Sequence, residues 1–109
     1  MRYAFIRLNA VTTQDRQEAI LSARDAMSRS GCAILDFQMF SNLSICFRIE
    51  IAAEDMGELL SHLTATKLRL SDESLKALGA QWQGDLRGTF EITFLHHDRD
   101  LKLDVPAFG

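Results

Sequence analysis

The sequence predicts an α+β domain whose segments follow one another as β-α-β-β-α-β. Three observations predict it. Leu43, Ile45, Phe47, Ile49 and Ile51 alternate with Ser44, Cys46, Arg48 and Glu50, the period of two of a half-buried strand. Met56, Leu59, Leu60 and Leu63 recur at the spacing of a buried helical stripe. The 109 residues hold 47% apolar and 25% charged side chains, which suits one folded domain with a modest core and excludes a disordered chain.

The first strand is expected over Arg2–Asn9, where Ala4, Ile6 and Leu8 alternate with Tyr3, Phe5 and Arg7. Thr12 stands three residues before Asp15, close to a capping box, so the first helix is expected to start near Thr12 or Thr13. Ile20, Ala23 and Met27 mark its inner face. Ser28–Gly31 stops it, with Gly31 suited to the left-handed position past a helix end. Ala33, Leu35, Phe37 and Met39 then alternate with Asp36 and Gln38 as a second strand, paired in a hairpin with the Leu43–Ile51 strand. For both odd-numbered sets to face one core, the loop must contain an odd number of residues. A three-residue loop, Phe40-Ser41-Asn42 with Asn42 left-handed, meets that condition.

A second helix is expected from Ala53 to His62, and Lys67–Leu70 reads as a brief strand or an extended link. Ser71 caps a short helix through Leu78, ended by Gly79. Gly88–Leu95 is the last strand, with Phe90, Ile92 and Phe94 on one face; the charged tail over 98–109, which carries the single proline Pro106, is expected to be extended. One antiparallel sheet with both main helices on one face makes this order a ferredoxin-like sandwich, with an insertion over 68–87 before the last strand.

Twelve Lys and Arg against fifteen Asp and Glu leave a net charge of −3, the wrong balance for a nucleic-acid partner. No apolar run approaches the roughly 20 residues of a membrane span. The N-terminus lacks a signal-peptide pattern, so a cytoplasmic location is expected, with Cys32 and Cys46 as reduced thiols. Gly-rich phosphate loops, nucleophile elbows and paired-carboxylate signatures are absent, and no cofactor is expected. His96-His97-Asp98, with Asp100 nearby, offers at most two ligands on one side of a strand, too few for a closed metal site. His62 reads as a rim residue of the second helix, and Trp82 as a ring laid over the core edge.

Asp36, Gln38 and Arg48 fall on the sheet face away from the helices, where Asp36 and Arg48 suit a cross-strand ion pair. Phe5, Ile34, Phe40 and Leu95 are expected to share that face, and such an apolar patch on a small protein marks an interface.

The stretch Thr13-Gln-Asp-Arg-Gln-Glu-Ala-Ile20 stands where an ACT domain carries a Gly-x-Asp-Arg-Pro-Gly-Ile loop. Cys32–Gln38 and Leu43–Ile51 likewise resemble the second and third strands of the ACT domains at the N-terminus of bacterial phosphoserine phosphatases. The resemblance covers residues 1–64, with Gly88–His96 as the final strand. It implies a regulatory module that binds an amino acid or another small metabolite where the first loop meets the first helix, at a contact between two copies. On this chain that places the site at Asn9, Thr12, Thr13, Asp15 and Arg16. Thr13 replaces the loop glycine and Gln17-Glu18 replace the Pro-Gly pair, so classical amino-acid binding is altered or lost.

The function expected is therefore a stand-alone sensing or regulatory domain, acting as a homodimer or on a partner enzyme, without catalysis of its own. Two other readings are a small dimeric enzyme with a cleft between sheet and helices, using His96 or His97 as acid and base, and a purely structural partner subunit.

Overall fold

In the computed structural model, which describes residues 3–95, the elements run β1 Ala4–Thr12, α1 Arg16–Arg29, β2 Ala33–Phe40, β3 Ser44–Ala52, a single 3-10 turn Ala53–Asp55, α2 Met56–Thr64, β4 Arg69–Leu70, α3 Asp72–Gly79 and β5 Asp85–Phe94. The five strands form one sheet in the order β2-β3-β5-β1-β4. Among the described residues no helix is long and apolar enough to cross a membrane.

The α+β class holds, and the arrangement of the sheet is corrected. The sheet is mixed: β5 lies between β3 and β1, antiparallel to the first and parallel to the second. Without β5 the order would be β2-β3-β1-β4, which is the ferredoxin-like one. The 68–87 segment explains the difference. Its two-residue strand β4 runs antiparallel to β1 at Ala10 and Val11, taking the edge a ferredoxin-like last strand would fill. Helix α3 then reverses the chain once more, and β5 returns up the middle. Because β4 is so short, α3 seals the rest of that edge: Asn9 N–H donates to Ser74 Oγ at 2.7 Å, and its carbonyl accepts from Ser71 N–H at 3.0 Å.

The helices cover one face. Against them stand Ile6, Leu8 and Ala10 of β1, Ile45, Phe47, Ile49 and Ile51 of β3, and Leu86, Phe90, Ile92 and Phe94 of β5, all buried. The odd-numbered stripe expected of β3 is the centre of this core. Helix α1 offers Ala19, Ala23, Ala26 and Met27; three alanines let its backbone sit close to the sheet. Helix α2 presents Met56, Leu59 and Leu63, as its spacing required. Trp82 packs against the core with its indole N–H donating to the Ala77 carbonyl at 2.7 Å.

Three local expectations are corrected. Helix α1 begins at Arg16 with Asp15 as its cap, accepting from the N–H groups of Gln17 and Glu18. Thr12 cannot serve, because it still belongs to β1 and its hydroxyl donates to the Lys67 carbonyl. The hairpin loop has three residues, but they are Ser41-Asn42-Leu43, and Ser41 takes the left-handed conformation at φ 60°. The loop stays odd, so Phe37 still pairs with Phe47 on the helix side.

The third correction concerns β2. Its register shifts between Ile34 and Asp36, so Ile34 pairs with Ile49 and Leu35 is the extra residue of a bulge. Ile34 therefore packs against the core and leaves the outer face assigned to it, while Leu35 is expelled from the core side. Every other β2 side chain is exposed.

Candidate binding sites

The loop from β1 into α1 is the expected ligand site, and the structure shows what each of its residues touches. Asp15 caps α1. The Arg16 guanidinium donates to the side-chain oxygen of Asn42, tying the helix start to the hairpin loop. Thr12 accepts the Gln14 N–H at 3.0 Å while donating to Lys67, and Asn9 engages α3 through its backbone. Thr13 is exposed. Thr12, Asp15 and Arg16 thus brace the loop, Asn9 is tied to α3, and none of the five lines the clefts described below.

The neighbouring residue Gln14 does face a cavity. A cleft of about 320 Å³ opens between α1 and the end of α2, lined by Gln14, Ser22, Arg29, His62, Thr66 and Lys67 among others. Gln14 Oε1 itself is buried away from solvent, with no hydrogen-bond partner among the described residues. His62 is held from behind: its Nδ1 lies 2.9 Å from Ser30 Oγ, and that hydroxyl itself donates to the Ala26 carbonyl at 2.7 Å. The hydroxyl proton being committed, Nδ1 carries the proton toward Ser30, and in the neutral ring Nε2 is left as an acceptor. Arg29 pairs with Asp25 at 3.2 Å across one helical turn, whereas Lys67 makes no ion pair among the described residues.

Sequence reasoning missed this cleft. Its polar groups come from a loop, a helix and the segment after another helix, and Ser30 and His62 stand 32 residues apart with no motif joining them. The one available signal was Lys67 beside Thr66 just past a helix end.

The outer sheet face carries Phe5, Asp36, Gln38, Phe40 and Arg48, as expected. Asp36 pairs with Arg48 at 3.6 Å, and Arg87 reaches Glu50 at 3.9 Å. Arginines also cover the aromatic rings: Arg87 lies 4.1 Å from the Tyr3 ring centre and Arg7 lies 5.8 Å from that of Phe5. A shallow cavity of about 400 Å³ lies among Tyr3, Phe5, Leu35, Arg48, Arg87 and Thr89. Its arginines are spent on neighbours within the molecule.

The β2 edge is different. Phe37 is 53% exposed and Met39 37%, both on the helix side. A groove of about 330 Å³ runs beside Phe37 past Arg24, Ile34 and Phe47. The N–H of Phe37 points away from β3 and donates instead to Asp36 Oδ1 at 2.8 Å.

Neither thiol is a ready nucleophile. Burial pushes Cys32 up to about 12, and burial with the Glu91 charge raises Cys46. Because the folded Cys32 thiol holds its proton above the usual value of 9.0, unfolded chains lose that proton first as pH rises. Stability should then fall between pH 9 and 12 by about 1.4 kcal/mol per unit from this group. Denaturant titrations of wild type and Cys32→Ala across that window should show a shallower decline in the variant; parallel curves would remove the effect.

Groups of three or more metal-ligating side chains are absent among the described residues, and His96, His97, Asp98 and Asp100, read from the sequence as surface residues with too few ligands for a metal, lie outside them. No family model, curated protein or solved structure matches the chain. The resemblance to ACT domains accordingly stands on the residues quoted from the sequence alone.

Proposed function

We propose that this chain is a binding module that works by self-association, two copies joining their sheets edge to edge along β2. The observation that carries the reading is a free strand with large apolar side chains and almost no charge. Edge strands that stay single usually carry lysine, proline or inward-pointing charge. Here Ala33–Phe40 holds one charged residue, Asp36, and Arg48 of the same molecule neutralises it.

A two-fold axis beside β2 sets the strand antiparallel to its own copy, so the same side chains meet from both sides. Phe37 and Met39 of each copy then cover each other, and the backbone groups of the two edges pair, the Phe37 N–H exchanging Asp36 for the partner. The outer face fits a partner less well, since ion pairs and stacked arginines already occupy its apolar groups. The regulatory role implied by the ACT resemblance belongs to this reading, as does action on a partner enzyme.

Light scattering across a concentration series tests it. The expected mass is twice the 12.3 kDa of one chain, falling toward one chain on dilution. A single-chain mass throughout the micromolar range would overturn the proposal.

A further inference from the structure

We infer that residues 101–105 dock along β2 of their own chain as an added strand, and so compete there with a second copy. The docking stands apart from self-association; only the competition rests on it.

The place where β5 ends supplies the first argument. Thr93 pairs with Ser44, and Phe94 N–H donates to the Leu43 carbonyl at 2.8 Å, so the chain leaves the sheet beside the 41–43 loop. Phe40, the last residue of β2, pairs with the same Ser44 and lies at the same end of the sheet. From β5, the position beyond β2 is three strand spacings away, about 14 Å at about 4.8 Å each. Residues 96–100 suffice to cross it, since five extended residues reach about 16 Å. The residues that follow then run away from the loop, antiparallel to β2.

Their sequence supplies the second. Leu101, Leu103 and Val105 alternate with Lys102 and Asp104, the period of a strand with one apolar face. Directly opposed residues of an antiparallel pair share a face. Set against odd-numbered positions of β2, the three apolar side chains cover Phe37 and Met39, both exposed without them.

The backbone agrees with that register. Phe37 N–H points out of the sheet, and by the strand period Met39 N–H does the same. Odd-numbered residues of the added strand exchange hydrogen bonds with these two. Pro106 falls at an even position, facing a residue whose own groups turn toward β3, so the N–H it lacks is not needed. Tethered by so short a link, the segment meets β2 at an effective concentration of about a millimolar, above that of micromolar free copies.

The test compares the full chain with its triple variant Leu101→Ser, Leu103→Ser, Val105→Ser. Hydrogen exchange over residues 35–40 is read by mass spectrometry, with each protein diluted until light scattering returns the mass of one chain. A segment docked in about three chains of four slows that exchange about fourfold relative to the variant, and raises the dissociation constant of the pair about sixteenfold, because both copies must be open. Exchange over residues 45–51 should be the same in both proteins, which confines the effect to the edge. Equal exchange over 35–40, or a difference equally large over 45–51, would overturn the docking. An unchanged dissociation constant would overturn the competition. Proteins that stay single at every concentration would remove self-association and the competition with it, and the exchange result alone would then decide the docking.

Discussion

Alanine at Gly88 should cost the fold about 3 kcal/mol, near the upper end of what overpacking a core does. A Cβ built at Gly88 lies 2.0 Å from the backbone oxygen of Ile6 and 2.7 Å from its side chain. Backbone oxygen cannot rotate aside, so β1 and β5 must part where Ile6 pairs with Gly88. That pairing is the parallel seam at the centre of the sheet, and opening it disturbs Phe90 and Leu8 on either side. The midpoint of thermal unfolding should drop by roughly 12–24 °C. Gly57 provides the comparison: it sits in α2 with open space around its Cβ position, and alanine there should raise stability by about 0.5–1 kcal/mol. Chemical denaturation of the two variants measures both. A Gly88→Ala protein as stable as wild type would mean that β5 does not lie against β1.

The second large effect concerns association. Phe37→Lys together with Met39→Lys puts like charges against one another across the two-fold axis, at a cost of several kcal/mol. The dissociation constant should rise about a hundredfold or more, and light scattering should return the mass of one chain. The fold should survive with a loss of about 1–3 kcal/mol, because Phe37 and Met39 are only partly buried against the sheet. Phe5→Lys on the outer face serves as the contrast and should leave the pair intact. A dimer that tolerates the two lysines but dissociates with Phe5→Lys would move the interface to the outer face.

What the sequence revealed depended on how local each cause was. The alternation through Ile45, Phe47, Ile49 and Ile51 survives because burial on one face of a strand is written directly into neighbouring residues. Ser71 and Gly79 mark α3 for the same reason: a cap acts within one turn. The β2 bulge left no such mark, since Ala33–Phe40 alternates acceptably in either register, and the shift depends on how β3 and α1 meet it. The position of β5 was also hidden, because a one-faced apolar strand looks the same at an edge or in the middle. Gly88 was the available hint, as a glycine inside a strand marks close backbone approach. At the candidate site, Asp15 and Arg16 stood out by resemblance but are bound to α1 and Asn42. His62, which does line the cleft, takes its place there through Ser30, 32 residues away in the chain.

The central place of β5 also governs how the molecule forms. Ala4 pairs with Leu86, and Thr12 with Phe94, so the seam closes between the first strand of the sheet to be made and the last. Until β5 arrives, β3 and β1 have no common neighbour, and the hairpin and first crossover cannot share a continuous core. Such long-range pairing slows folding relative to helical domains of this size. During synthesis the sheet must wait, largely unassembled, until its final strand is released. A chain stopped before Asp85 should therefore lack cooperative unfolding altogether, rather than form a smaller version of the same sheet.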